Sequence, residues 1–367
     1  MNRKTTTEQE MMEQLKRNKI LLPPLRIRLL KNNIIPGLKQ RFKAIIELSW
    51  QKFTIRCAVE CKSLFTPKAF RDGLNFLKLL VLPRGYQPLL FTPFLSEEHL
   101  QILEREEISG IDLCGNCVVI VPGAFAVFRG GGKNRFSNSA PIKNIYRKNS
   151  SMIGRIFLLK NSYDRVQEIC AEVNRRNILV NNWNRKPMSL ATVSKSLKTL
   201  EQDLIIQRNK TIQLIQSNKL LEKLSENYSS PITTGQVRIK ISEEKAGIQK
   251  LLCRYSKELN LPIVATGLSS VDKFAVMKRE ELLSVYCPRM DTLMERLPGN
   301  TTDRFPNLEI LETNDEPVYF DAWRERDFMW ASPIQVYLEL MMGDRRDRET
   351  AEQVKTFIMK NITMRQK

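Results

Sequence analysis

Apolar positions along the chain switch between a period of two and a helical spacing of three and four, and each switch marks an element. Leu38 to Trp50 carries Phe42, Ile45, Ile46 and Trp50 at helical spacing, which predicts a helix. Phe53 to Lys62 (Phe-Thr-Ile-Arg-Cys-Ala-Val-Glu-Cys-Lys) is strand-like in composition. Thr66-Pro67 then predicts a helix start with proline in the first turn, and an apolar helix follows over 68–82. Gln87 to Phe91 reads as a buried strand and Ser96 to Glu106 as a polar helix. Gly110 to Val121 supplies one or two strands around a Gly115-Asn116 turn, and Ala124 to Phe128 another. Strands alternating with helices define an α/β arrangement.

The most informative pattern lies between Pro187 and Ile215. Ser189 is placed to cap a helix in which Leu190, Val193, Leu197 and Leu200 share one apolar face. Its other face, Thr192, Ser194, Lys195, Lys198 and Thr199, is short, polar and basic, as a helix entering a major groove must be. Leu204 to Ile206 and Thr211 to Ile215 are β-rich runs around Arg208-Asn209-Lys210, a turn with two cations. Tyr163 to Val173 supplies a preceding helix with Val166, Ile169 and Val173 as its stripe, and Arg175, Arg176, Arg185 and Lys186 lie between. Together these predict a winged helix-turn-helix. Ser189, Thr192, Ser194, Lys195 and Lys198 are expected to bind DNA from the helix, Arg208 and Lys210 to clamp a flanking phosphate or the minor groove, and Arg185 and Lys186 to add to the nucleic-acid-binding surface. Asn218 to Asn227 reads as a linker helix, and Ser229-Ser-Pro-Ile-Thr-Thr-Gly235 as a boundary.

From Gln236 onward the strand-like runs are Val237 to Ile241, Ile263 to Thr266, Leu282 to Tyr286, Leu308 to Leu311 and Val318 to Phe320. Glu243 to Glu258, Ser269 to Val276, Met290 to Arg296, Ile334 to Met342 and Arg348 to Met359 read as helices, again α/β. Between Thr301 and Thr350 there are twelve acidic and six basic residues, the reverse of the rest of the chain. Glu309, Glu312, Asp315 and Glu316 alternate with apolar residues as the wet side of a strand does.

Charge narrows the class of partner. The chain has 367 residues and a formal net charge of +19, which points to a polyanion, because clustered Lys and Arg displace counterions from nucleic acid. Gln14 to Ile46 contains nine Lys or Arg and no Asp or Glu, and Leu113 to Tyr163 has no acidic residue against eight basic ones, Lys143 among them. Arg129-Gly-Gly-Gly-Lys-Asn-Arg135 is glycine-rich and cationic but lacks the Gly-Lys-Ser/Thr end of a Walker loop. One histidine, His99, in a polar helix signal, leaves nucleophile–imidazole catalysis without its base and reads as a surface residue. Seven cysteines at irregular spacing fit a reducing compartment, and Cys114-Gly-Asn-Cys117 lacks the second pair of a structural zinc site. Neither an apolar leader nor a run of about 20 apolar residues is present, so no membrane is expected and the expected location is cytoplasmic, beside a prokaryotic nucleoid.

One placement in the first half carries catalytic potential. Glu60-x-Lys62 ends a predicted strand just before a helix, and a spacing of two sets both side chains on one strand face. This resembles the restriction-endonuclease-like core, in which acidic residues hold magnesium and the lysine orients the attacking water. Between Gln14 and Val59 the one carboxylate is Glu47, in a predicted helix; Asp112 could be carried in by the fold as the second metal ligand beside Glu60, though its place after the second helix is not the usual one of that core. An active magnesium-dependent endonuclease, a nuclease-like scaffold without activity and an unrelated α/β domain all stay open. The regulator reading requires no cofactor; magnesium belongs to the nuclease alternative.

Ser109-Gly-Ile-Asp-Leu-Cys-Gly-Asn116, the 190–201 helix, Ala265-Thr-Gly-Leu-Ser-Ser270 and Gly343-Asp-Arg-Arg-Asp-Arg-Glu-Thr-Ala-Glu352 together resemble the abortive-infection (AbiEi-type) antitoxin and transcriptional-regulator family. The resemblance implies a winged helix bound to double-stranded DNA at its own promoter. It also implies a C-terminal domain that opposes a toxin, here through an acidic surface. The expected organisation is α/β multidomain: a basic helical segment (1–52), a restriction-endonuclease-like α/β domain (53–160), a central winged helix-turn-helix (161–230) and a C-terminal α/β domain (236–367).

Overall fold

The computed structural model describes residues 6–17, 19–38, 42–136, 144–179, 186–277 and 282–364; Arg185 and Lys143 lie outside them. The chain is mixed α/β and divides into two compact units, Met1–Ile142 and Lys143–Lys367.

The first unit is built on a seven-stranded sheet whose strands lie in chain order. Helix α1 (Glu8–Lys16) precedes β1 (Arg26–Leu29), β2 (Ala44–Trp50) and β3 (Phe53–Cys61), an antiparallel meander. Helix α2 (Pro67–Lys78) then returns the chain to β4 (Tyr86–Thr92), parallel to β3, and α3 (Glu97–Arg105) leads to β5 (Ser109–Asp112), parallel to β4. Strands β6 (Cys117–Val121) and β7 (Phe125–Arg129) finish it antiparallel. Period-two alternation splits the core. Cys57, Val59, Cys61, Leu89 and Phe91 pack with Met11 and Leu15 of α1, whereas Leu90 joins Phe70, Leu74 and Leu77 of α2 and Leu100 and Leu103 of α3.

The helix expected over Leu38–Trp50 is instead strand β2. Ile46 and Leu48 face the main core, and Ile45 and Phe42 face a smaller cluster with Ile35 and Ala58. A strand buried on both faces is apolar at consecutive positions, and a short run of that kind carries no period that separates it from a helix.

In the second unit, α4 (Ser151–Phe157), β8 (Ser162–Tyr163), α5 (Val166–Arg176), α6 (Leu190–Gln202), β9 (Ile206–Arg208) and β10 (Ile212–Leu214) follow one another. The three strands pair in the order β8-β10-β9. Helix α7 (Ser217–Glu226) leads into a five-stranded sheet of order β12-β13-β15-β11-β14. It is made by β11 (Thr233–Lys240), β12 (Val264–Ala265), β13 (Leu283–Cys287), β14 (Asn300–Thr301) and β15 (Leu308–Thr313), with α8 (Lys245–Glu258) and α9 (Met290–Met294) between strands. Val318–Phe320, expected as a strand, lies in and just after the one-turn helix α10 (Glu316–Tyr319), which Pro317 opens at its first turn. A hairpin of β16 (Trp323–Glu325) and β17 (Phe328–Trp330) precedes α11 (Pro333–Met341) and α12 (Arg345–Met364).

One hydrophobic cluster joins Ile153, Ile156 and Phe157 of α4, Val193, Leu197 and Leu200 of α6, and Ile334, Leu338, Val354 and Ile358 of α11 and α12. The boundary expected at 230–236 is therefore crossed by a shared core. The surface that buries α11 and α12 is distant in sequence, so no local composition announces it.

Candidate nucleic-acid interface

Helix α6 begins where expected. The Ser189 hydroxyl accepts the backbone N–H of Thr192 at 3.2 Å and lies 2.9 Å from the Thr192 hydroxyl, so both side chains are already engaged at the cap. Val193 and Leu197 are fully buried and Leu200 nearly so, whereas Leu190, expected on the same face, is 44% exposed because it stands in the first turn, ahead of the packed stripe. Thr192, Ser194, Lys195 and Lys198 are all exposed. No acidic residue occurs on α6 until Glu201, and among the described residues Lys195 and Lys198 have no carboxylate partner. Two cations thus project to water from a helix whose opposite face is anchored in the core.

Strands β9 and β10 pair antiparallel, with Ile212 opposite Arg208 and Leu214 opposite Ile206, and β8 pairs on the outer side of β10. Ile206, Ile212 and Leu214 are buried, which fixes the hairpin against the helices and leaves Asn209 and Lys210 exposed at its tip. Arg208 is half-buried and lines a groove with Lys210, Asp164, Arg165, Gln167 and Glu201. Arg165, exposed at the start of α5, is a cation of this surface that residue patterns did not single out. Its position depends on β8 setting the start of α5 beside the hairpin. Lys186 is exposed.

The Glu60–Lys62 pair forms as the spacing implied: Lys62 Nζ lies 2.8 Å from Glu60 Oε1. Helix α2 passes close by at Gly73, where an added Cβ would come within 3.4 Å of Lys62 Cε and 2.8 Å of a Leu90 methyl. Lys43 lies one residue before the Ala44–Val59 pair that ends the β2–β3 register, close enough to Glu60 for its ammonium to feel that charge. Lys43 Nζ is 2.9 Å from Glu8 Oε2, and that hydrogen bond raises the Lys43 ammonium above its ordinary range, with the Glu8 charge adding to it.

The metal pair of Glu60 with Asp112 is not assembled. Glu60 aligns with Leu90 and Leu90 with Gly110, whereas Asp112 aligns with Thr92, two positions on. Asp112 is wholly buried, and its oxygens accept Leu95 N at 2.8 Å, Cys114 N at 2.7 Å, Asn116 N at 2.8 Å and Asn116 Nδ2 at 2.7 Å. Burial pushes this carboxyl above its usual range while those four donors hold it down. Its work is to pin the 113–116 turn and the start of the α3 segment. Among the described residues, no group of three His, Cys, Asp or Glu is arranged to hold a metal.

The remaining candidates are tied down locally. His99 is half-buried, stacked on Phe70 at 4.1 Å, rather than a free surface residue. Cys114 and Cys117 are free thiols, each raised by burial, Cys117 to about 11. Glu309, expected on a wet strand face, is 8% exposed and bonded to Gln236 at 2.7 Å, Arg238 at 2.9 Å and Ser284 at 2.7 Å. Glu312 accepts from Thr234 and Met290 N, Asp315 from Ile232 N and Glu316 from Asn177. The acidic run is thus divided among separate partners. Among the described residues, no helix is long and apolar enough to cross a membrane. The chain matches no protein-family model, no curated protein and no solved structure.

Proposed function

We propose that residues 151–226 are a winged helix-turn-helix and that the protein is a DNA-binding transcriptional regulator of the antitoxin-repressor kind, with α6 in the major groove and the β9–β10 hairpin as its wing. The observation that carries this reading is the two-sided character of α6: Val193, Leu197 and Leu200 held in the core, Thr192, Ser194, Lys195 and Lys198 all open to solvent. A helix of that kind presents short hydrogen-bonding groups and cations at the distance of base edges and phosphates. The order helix, strand, helix, helix, hairpin supports it, and so do Arg208, Lys210 and Arg165 around the adjoining groove.

In the same reading the first unit is a nuclease-like scaffold that does not cleave. Three antiparallel strands, a helix and a parallel fourth strand support the likeness, and Lys43 near Glu60 supports the loss of activity. There Lys62 engages Glu60 and Lys43 engages Glu8, so each of these carboxylates already holds an ammonium where a divalent ion would be needed. Fluorescence anisotropy with labelled duplexes tests the regulator: affinity at about 50 mM salt should fall steeply by 200 mM. No binding at the lower salt sinks it. Magnesium- or manganese-dependent cleavage that Glu60→Ala abolishes would replace it with the nuclease.

A further inference from the structure

The strongest unassigned feature is Arg155 of α4, 2% exposed at the centre of the second unit. Its Nη1 donates to Pro317 O at 3.0 Å and Gln335 Oε1 at 2.9 Å, both neutral acceptors. Nε has no hydrogen-bond partner, and among the described residues Nη2 has none and no carboxylate pairs with the guanidinium. Glu339, a carboxylate of the same network, accepts from Gln335 Nε2 at 2.9 Å and from the Tyr286 hydroxyl instead. A buried guanidinium with unused donors and no charge partner is costly to leave so, and Nη2, unlike Nε, is not sealed from the neighbouring space.

Arg155 lines a cavity of about 30 Å³ together with Lys148, Ser151, Tyr146, Tyr228 and Asp315. One water-sized group needs about 10–15 Å³, so the space takes roughly two, the two oxygens of a carboxylate or of a phosphate edge. Asp315 is the acidic residue of the lining, its Oδ2 held by Ile232 N at 2.8 Å, so two cations, Arg155 and Lys148, stand against one carboxylate. Tyr228 accepts from Gln335 at 2.9 Å, so wall and guanidinium belong to one hydrogen-bonded frame.

We propose that this cavity binds the oxyanion group of a small molecule, with Arg155 Nη2 as its donor and Lys148 as the second cation. The site stands independently of the DNA-binding reading. The full chain, without DNA, is titrated with sodium phosphate and separately with sodium acetate at constant ionic strength, followed by calorimetry and thermal shift. Saturable binding of one identifies the source of the oxyanion, phosphate or carboxylate. It should be unchanged in Lys195→Ala/Lys198→Ala and weakened about five- to tenfold in Lys148→Asn. Asparagine tolerates the φ of +51° at that position while removing the charge. Arg155→Met, if folded by circular dichroism, should not bind. No saturable binding of either anion up to about 20 mM, or binding indifferent to Lys148→Asn, overturns the proposal.

Discussion

Lys195 and Lys198 stand out by what they lack: no carboxylate among the described residues neutralises either one. If each meets one phosphate, Lys195→Ala/Lys198→Ala should weaken duplex binding roughly tenfold near 0.1 M salt and flatten the log–log salt dependence by about 1.8, with folding unaffected. Anisotropy titrations at three salt concentrations check both values. Asp112 is the opposite case, a charge with every lone pair in use. Asp112→Ala leaves four donors unpaired, two of them on Asn116, and should destabilise the first unit by about 3 kcal/mol or more in denaturant unfolding. Glu309 gives a pH dependence. Burial alone would raise it, but hydrogen bonds from Ser284, Arg238 and Gln236 outweigh burial and hold it below 4.5. A depressed carboxyl contributes stability that is present above about pH 4.5 and lost as pH falls through the folded value. Acid unfolding of Glu309→Gln should therefore be less steep than that of the parent.

At the level of the element, α6 was legible from sequence because cap, apolar stripe and polar face are all local. Ser189→Ala should cost about 1 kcal/mol through the lost cap. Leu197→Ala should cost about 2–5 kcal/mol, while Leu190→Ala, at an exposed position, should be nearly neutral; thermal unfolding of the three variants ranks them. Strand β2 was not legible, since Ile45 and Ile46 are both buried on opposite faces and mimic a helix repeat over so short a run. Helix α10 was misread for a related reason: Val318, Tyr319 and Phe320 are apolar because a core surrounds them, whatever their backbone does.

Across the whole molecule, the core of the second unit decides how many parts it has. Because α4 and α6 share one cluster with α11 and α12, a fragment of residues 144–367 should unfold in a single calorimetric transition. Two resolved transitions would contradict the shared core. Residues 151–226 alone should be unstable, as removing α11 and α12 exposes Ile153, Leu197 and their neighbours.

Sequence alone determined the basic character of the chain, most of its elements, the capped helix with its cationic face and the Glu60–Lys62 pair, because charge, capping and periodicity act over a few residues. Tertiary structure decided the rest. It brought Lys43 near Glu60, kept Asp112 apart from it, carried the α11–α12 pair into the core under α6, and buried Arg155 with its Nε unpaired. Each of these joins residues from separate strands or helices, and register and packing, not local pattern, choose such neighbours.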